Sequence, residues 1–301
     1  MSSFRRRSMM EQEEKTDMND GKYQIVADSF NCFLSTDYGN SFKQLDLSVA
    51  TPNASISKNG KYCIIAGDSD CYLSSDFLKT FNKITSITRA GVSAVSSDGK
   101  YQTVGTYDGY LYSSDDYGKT FIQNGISNAG LSGLSMSGDG KYRIIGDNRR
   151  IYISNNYGKS WAASEAISGI AYSSAISKDG KYQIVSTAGD GLHISSDYGK
   201  TWNTRNEFGG GSDMSSDGKI IVTSSRIGSS LYISKDYGKT FKEVTEAAYY
   251  IQWVSASSTG KYQLYLFDDA LHQSSDYGET TKSKYIQGYN PDECHSSCIN
   301  K

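Results

Sequence analysis

One eight-residue phrase recurs along the chain and limits what it can fold into. In its fullest form it reads Ser195-Ser196-Asp197-Tyr198-Gly199-Lys200-Thr201-Trp202, and versions of it begin at Ser35, Ser74, Ser114, Ser154, Ser195, Ser234 and Ser274. Successive starts lie 39, 40, 40, 41, 39 and 40 residues apart. A second phrase alternates with this box. It is a Gly-Lys turn, usually Asp-Gly-Lys-Tyr, with glycines at Gly21, Gly60, Gly99, Gly140, Gly180, Gly218 and Gly260. Seven units of this length specify a repeat architecture, because each is too small to bury a core alone.

Within a unit the apolar pattern has period two. The third unit runs Ser93-Ala94-Val95-Ser96, the turn Asp98-Gly99-Lys100, then Tyr101-Gln102-Thr103-Val104-Gly105. After Tyr107-Asp108-Gly109 come Tyr110-Leu111-Tyr112-Ser113, the box, and Phe121-Ile122-Gln123. This reads as four short strands, A to D, joined by glycine-bearing hairpin turns. No segment has a helical period. Seven four-stranded antiparallel sheets close most simply as an all-β, seven-bladed β-propeller. Strand A should line the central channel, and its serine and alanine content, as in Ser174-Ala175-Ile176, suits a crowded axis.

The box itself has a mechanical reading. A carboxylate at Asp37, Asp76, Asp116, Asp197, Asp236 or Asp276 can accept N–H groups of its own turn, with Asn156 in that place in unit four. The glycine tolerates left-handed geometry and the aromatic packs between sheets. Leu78 replaces the glycine in unit two, at an expected backbone cost of about 1 kcal/mol, and Thr281 replaces the aromatic in unit seven.

These phrases resemble the Asp-box (BNR) repeat of sialidases, two-propeller xyloglucanases, sortilin-type receptors and photosystem II assembly-factor-like propellers. The regular unit is also similar to propellers encoded by large DNA viruses. The resemblance covers residues 17–288 and implies the propeller fold, with the boxes structural and away from any catalytic face. It does not imply sialidase activity, since the arginine-rich opening motif of that family is absent and sialidases have six blades. Superfolds of this kind carry unrelated activities.

The expected organisation is an N-terminal tail or latch strand over residues 1–15, the propeller over 16–288 and a C-terminal tail over 289–301. Thr16-Asp17-Met18-Asn19-Asp20-Gly21-Lys22 resembles Ser212-Asp213-Met214-Ser215-Ser216-Asp217-Gly218-Lys219, so the N-terminal side should supply strand A of blade one. Phe4 could then align with strand D of the last blade. The alternative is that Lys282–Ile286 fills that place and residues 1–15 are solvated.

Strand order fixes the loops. A–B and C–D turns share one regular face, while B–C and D–A loops collect on an irregular face, the default binding surface of a rigid scaffold. Its candidate binding residues are Arg89, Tyr107, Asp108, Arg149, Arg150, Arg205, Arg226, Trp253 and Phe267, the residue types that dominate hot spots. For each the plain alternative is an ordinary loop residue, with Trp253 buried between blades. On the regular face every turn carries a lysine, but Asp98, Asp139, Asp179 and Asp217 lie two places before theirs, which makes a neutralised rim.

Other chemistry finds little support. His193 and His272 stand where other units have tyrosine, and Cys32 and Cys71 stand where others have leucine or isoleucine. Cys63 replaces a glutamine. Cys294 and Cys298 around His295 are too few for a structural zinc site. A glycosidase would need two carboxylates about 5–10 Å apart, drawn from Asp68, Asp108, Asp147, Asp190 and Asp268. There is no phosphate loop, nucleophile elbow or His-Glu-x-x-His motif.

The balance of 31 Lys+Arg against 33 Asp+Glu implies no nucleic-acid partner. No apolar run is long enough to span a membrane, and Arg5-Arg6-Arg7 has no apolar core behind it, so no secretory signal is expected. Five cysteines suit a reducing compartment, cytoplasmic or virion-associated. The expected protein is a monomeric, non-enzymatic binding or assembly scaffold without cofactor or metal, acting through its irregular face on a protein or glycan. The alternative is a glycan-directed hydrolase or lectin.

Overall fold

The computed structural model describes residues 19–47, 49–124, 126, 130–225, 230–246, 251, 253–267, 270–290 and 296–301. All of its elements are strands, arranged in seven antiparallel sheets of four. The seven-bladed propeller read from the sequence is the fold. Blade five shows the unit: A, Ala171–Ile176; B, Gln183–Thr187; C, Gly191–Ser195; D, Asn203–Arg205. B and C pair from Gln183↔Ser195 to Thr187↔Gly191, and both are buried throughout because sheets cover them on each side.

The core lies between blades rather than within them. Ile144 and Ile151 of blade four pack with Ile176 and Val185 of blade five, and the box aromatic Trp202 closes the edge of that cluster. Cys32 and Cys71 are buried as the repeat suggested, and Cys63, in the place of a glutamine, is buried as well. Burial pushes the Cys32 and Cys71 thiols up to about 12, so they serve as small apolar groups. His193 is buried between the hydroxyls of Thr187 and Thr204, and burial lowers its pKa.

The box works as a local clamp. In blade five Ser195 Oγ donates to Asp197 Oδ1 and accepts the Gly199 N–H, at 2.9 and 3.0 Å. The Thr201 N–H and hydroxyl then donate to the two Asp197 oxygens at 2.9 and 2.6 Å. Asn156 reproduces this with its amide, accepting from Ser154 and donating to Ser160. Leu78 takes φ 61°, the strained geometry expected for it, and is 4% exposed in the core between blades one and two.

A second strain escapes the sequence pattern. The residue before each box glycine is also left-handed, from Tyr38 (φ 62°) to Tyr277 (φ 62°), so both central positions of the turn have positive φ. Asparagine is the usual choice there. An aromatic costs about 1–2 kcal/mol more, but here it reaches the preceding blade. Tyr198 stacks on Tyr142 and Tyr237 on Tyr182, with ring centroids 5.3 and 4.6 Å apart, a contact worth about 0.5–1.5 kcal/mol.

Ring closure differs from expectation. Strand A of blade one is Ser296–Ile299, from the C-terminal side, pairing with Gln24–Ala27. The segment assigned to a tail over 289–301 therefore contains an inner strand. The resemblance of 16–22 to 212–219 marked only the turn, since the described part, Asn19–Lys22, is that turn. The physical reason is the residue ending strand A. Six blades end it with a serine whose Oγ accepts an N–H across the hairpin, as Ser96 does from Tyr101. In blade one Asn300 does this, its Oδ1 accepting the Tyr23 N–H at 2.9 Å while its own N–H donates to Tyr23 O. Its amide nitrogen also donates to Asn19 O and Lys58 O. Asp20 completes the clasp. It accepts bonds from Ser257 and Thr259 of blade seven, where Thr259 stands in place of that turn's own aspartate.

Lys282–Lys284 forms strand D of blade seven, as the alternative reading had it. Phe4 and the rest of residues 1–15 lie outside the described residues.

Candidate functional site

The seven A strands enclose a central channel of about 400 Å³. Besides Ser296–Ile299 and Ala171–Ile176 they are Asn53–Ile56, Ala90–Val95, Ser132–Met136, Phe208–Met214 and Trp253–Ala256, in blades two, three, four, six and seven. Each is an edge strand whose inner N–H groups face the channel, so each has a backbone edge to satisfy. The serines there have a more specific role than small size. A polar side chain on one blade caps the inner N–H of the next. Asn53 Oδ1 accepts from Ser93, Ser173 Oγ from Ser212, Asp213 Oδ2 from Ala256 and Ser255 Oγ from Ile299, at 2.8–3.1 Å. Asp213 Oδ1 also accepts the Met214 N–H and the ammonium of Lys301, so this carboxylate spans blades one, six and seven.

Toward the regular face a belt of backbone bonds runs around the channel. Lys58 donates to Ser97 O, Ser97 to Gly138 O, Gly138 to Lys178 O, Lys178 to Ser216 O and Ser216 to Ser258 O, at 2.6–3.0 Å. Each N–H comes from the residue after the strand-ending serine. Six of the seven turn lysines lie over the ring of the tyrosine that follows them, as Lys61 does over Tyr62 at 5.2 Å, and Lys219 is followed by Ile220 instead.

The irregular-face mouth is aromatic. Tyr107, Tyr172 and Trp253 all line it, with Tyr172 53% and Tyr107 36% exposed. Tyr107 is built into position. Arg89 takes a left-handed φ of 56°, a conformation that costs a non-glycine residue free energy and persists only where its surroundings fix it. Its N–H donates to Asp68 O and its carbonyl accepts the Tyr107 N–H at 2.8 Å. Its guanidinium meets Asp108 Oδ1 at 2.6 Å and Asp68 Oδ1 at 3.5 Å. The Tyr107 ring lies over Gly91, where a side chain would meet it at 2.9 Å. The Tyr107 carbonyl accepts the Gly130 N–H, linking loops of blades two, three and four.

The other sequence candidates scatter. Trp253 starts strand A of blade seven and is half-buried at the mouth, not sealed between blades. The Arg149 and Arg150 N–H groups donate to Asp147 Oδ1, leaving exposed side chains outside the channel lining. Arg205 points away from the irregular face, donating to Lys239 O in the box of blade six. Phe267 pairs in register with Ala270 in its hairpin, and Arg226 and Asp268 lie outside the described residues. Cys298 belongs to the closing strand with its sulfur at the Ile56 N–H, and its thiol is pushed up to about 12 by burial. Cys294 and His295 lie outside the described residues, and no cluster of metal ligands occurs among the residues described.

Tyr172 and Asp213 were not singled out by the sequence reading. Tyr172 follows Ile170-Ala171 without a loop signal, and Asp213 sits in a strand where other units have serine, alanine or cysteine. The second departure was a usable signal. Arg143 is a third, standing where four units have glutamine. It is 1% exposed, donates Nε to Gly140 O and Nη1 to Thr103 Oγ1, and burial lowers its pKa to about 10.

Comparison with known proteins agrees with the fold. A family model described as the BNR-Asp box repeat matches residues 231–244. No curated protein sequence matches the chain. Among solved structures, a functionally unknown protein from Desulfotomaculum acetoxidans is similar at TM-score 0.71 and 12% identity, covering 93% of this chain and 99% of that one. The GH74 xyloglucanase from Xanthomonas campestris gives TM-score 0.66 and 12% identity over 92% of this chain and 52% of that chain. YCF48 bound to D1 peptide gives TM-score 0.60 and 12% identity over 89% and 91%. At these identities the likeness is one of fold. No helix among the described residues is long and apolar enough to cross a membrane.

Proposed function

We propose that this protein is a binding scaffold that engages a protein segment at the irregular mouth of its channel. The observation that carries the reading is the construction around Tyr107. A strained arginine, two carboxylates and a glycine floor together hold one aromatic ring over the mouth. With Tyr172 and Trp253 it forms a preformed aromatic rim, which binds with little ordering cost. The similarity in fold to YCF48, a propeller solved with a peptide bound, agrees with a polypeptide ligand.

The glycan-hydrolase reading is less well supported. Among the described channel-lining residues Asp213 is the single acidic side chain, and Lys301 and two N–H groups engage it. Asp68 and Asp108 hold Arg89, while Asp147 holds its own turn.

Selection from a random peptide library displayed on phage tests the proposal. Selected peptides should bind the wild type and lose about tenfold in affinity on Tyr107→Ala or Trp253→Ala, while Lys239→Ala on the regular face leaves binding unchanged. Peptides indifferent to both mouth substitutions would remove the mouth as the site. Glycoside turnover that survives repurification would favour the hydrolase.

A further inference from the structure

The capping of inner N–H groups is uneven around the channel. In every blade the residue before the strand-ending serine or asparagine turns its N–H away from strand B, because the antiparallel ladder alternates and the strand-ending residue itself donates across the hairpin. These seven N–H groups form a ring just above the backbone belt. Three are hydrogen-bonded to side-chain oxygens, Met214 and Ala256 to Asp213 and Ile299 to Ser255, and a fourth, Ile56, faces the Cys298 sulfur. The other three, Val95, Met136 and Ile176, come from the consecutive blades three, four and five. The residues placed to cap them do not. Ser55 and Ser135 pair instead with the hydroxyls of Ser93 and Ser174, and Ala94 has no polar atom to offer Met136.

The same arc carries an ammonium. Lys178 is the blade-five member of the belt, lines the channel and forms no ion pair among the described residues. Its stem lies across Gly138 of blade four. A Cβ there would come within 2.6 Å of the lysine Cγ and 2.7 Å of Ser97 Oγ. Gly138 has no positive φ to explain it, so the close approach does. The nearby turn carboxylates are engaged, Asp139 by Ser137 and the Lys141 N–H, Asp179 by Ser177 and the Lys181 N–H. One side of the channel foot thus offers backbone donors, a hydroxyl and a cation, with no acidic side chain among its lining residues. The other side holds Asp213 locked to Lys301.

We propose that the channel foot beside blades three to five binds a small oxyanion, a carboxylate or phosphate group. Backbone N–H groups with an adjacent ammonium are the donor set such ions take. This site lies at the opposite end of the channel from the aromatic mouth and is independent of it.

Thermal unfolding and calorimetry with sodium phosphate and sodium acetate, each against sodium chloride at equal ionic strength, test it. The two salts distinguish phosphate from carboxylate. Wild type should gain stability with at least one of them, with saturable binding. Lys178→Met should weaken binding at least tenfold without altering the melting temperature in chloride. Ala94→Ser, which supplies the missing cap for Met136 and keeps Lys178, should also weaken binding several-fold. Tyr107→Ala should leave it unchanged, which separates this site from the mouth. No stabilisation beyond chloride overturns the proposal, as does full binding by Lys178→Met. Loss in Lys178→Met with unaltered binding by Ala94→Ser overturns the role of the N–H arc.

Discussion

The two walls of the channel are built from the same repeat and solve the same problem differently. Blades one, six and seven carry the closing strand, Asp213 with Lys301, and side-chain caps on their inner N–H groups. Blades three, four and five are continuous in sequence and leave the Val95, Met136 and Ile176 N–H groups open to the channel, although Asn53 caps Ser93 higher up. The wall that must be closed without a covalent connection holds the denser set of polar contacts. Continuity of chain keeps the other wall together and frees its backbone donors.

Breaking the clasp should have the largest effect. Asn300→Ala leaves the Tyr23 N–H and the carbonyls of Asn19 and Lys58 without that partner at a fully buried position. Its expected cost is about 4 kcal/mol by denaturant unfolding, and an effect below about 1 kcal/mol would show that the closing strand is not what holds the ring. Asp213→Ala should follow at about 2 kcal/mol, because two N–H groups and the Lys301 ammonium lose their acceptor.

On the open wall the sign should reverse. Ala94→Ser gives the Met136 N–H a partner and should stabilise by about 0.5 kcal/mol in the absence of anions. Destabilisation there would mean that this wall gains nothing from a cap. Tyr198→Asn is smaller still. It relieves a left-handed aromatic but removes the stack on Tyr142, two terms of similar size, so the net change should stay within about 1 kcal/mol.

Acid provides the control common to both walls. Thr240 and Ser234 hold the Asp236 carboxyl down to about 2. At Asp116 partial burial opposes the shift, but bonds from Thr120 and Ser114 outweigh it and again give about 2. A carboxylate whose folded pKa is lowered contributes stability that is complete above its unfolded value near about 4 and is lost as pH falls through the folded value. Melting temperature should therefore decline between about pH 4 and 2. These groups are largely solvent-exposed, so screening keeps each contribution small and added salt should shrink the decline. Asp116→Asn should flatten part of it, as the asparagine already at position 156 does for blade four.

Much of the fold was legible because the box is self-contained. Ser195, Asp197, Gly199 and Thr201 satisfy one another within seven residues, so local spacing was enough to find the hairpins and count the blades. Tyr107, Trp253 and Arg89 could be chosen from loop position and residue type. That Arg89 holds Tyr107, while Arg205 turns to another blade's box, depends on contacts between blades that no spacing encodes.

The recurring box thus fixed by sequence alone the unit, its four strands, the number of blades and the face on which irregular loops gather. Each follows from bonds made within a few residues. Tertiary structure alone decided which end supplies the last inner strand, which serines cap a neighbour's backbone, and which arc of the channel keeps open donors. Those outcomes depend on groups separated by one repeat or more, up to opposite ends of the chain. Their pairing exists only once the ring has closed, as Tyr23 with Asn300 and Asp213 with Lys301 illustrate.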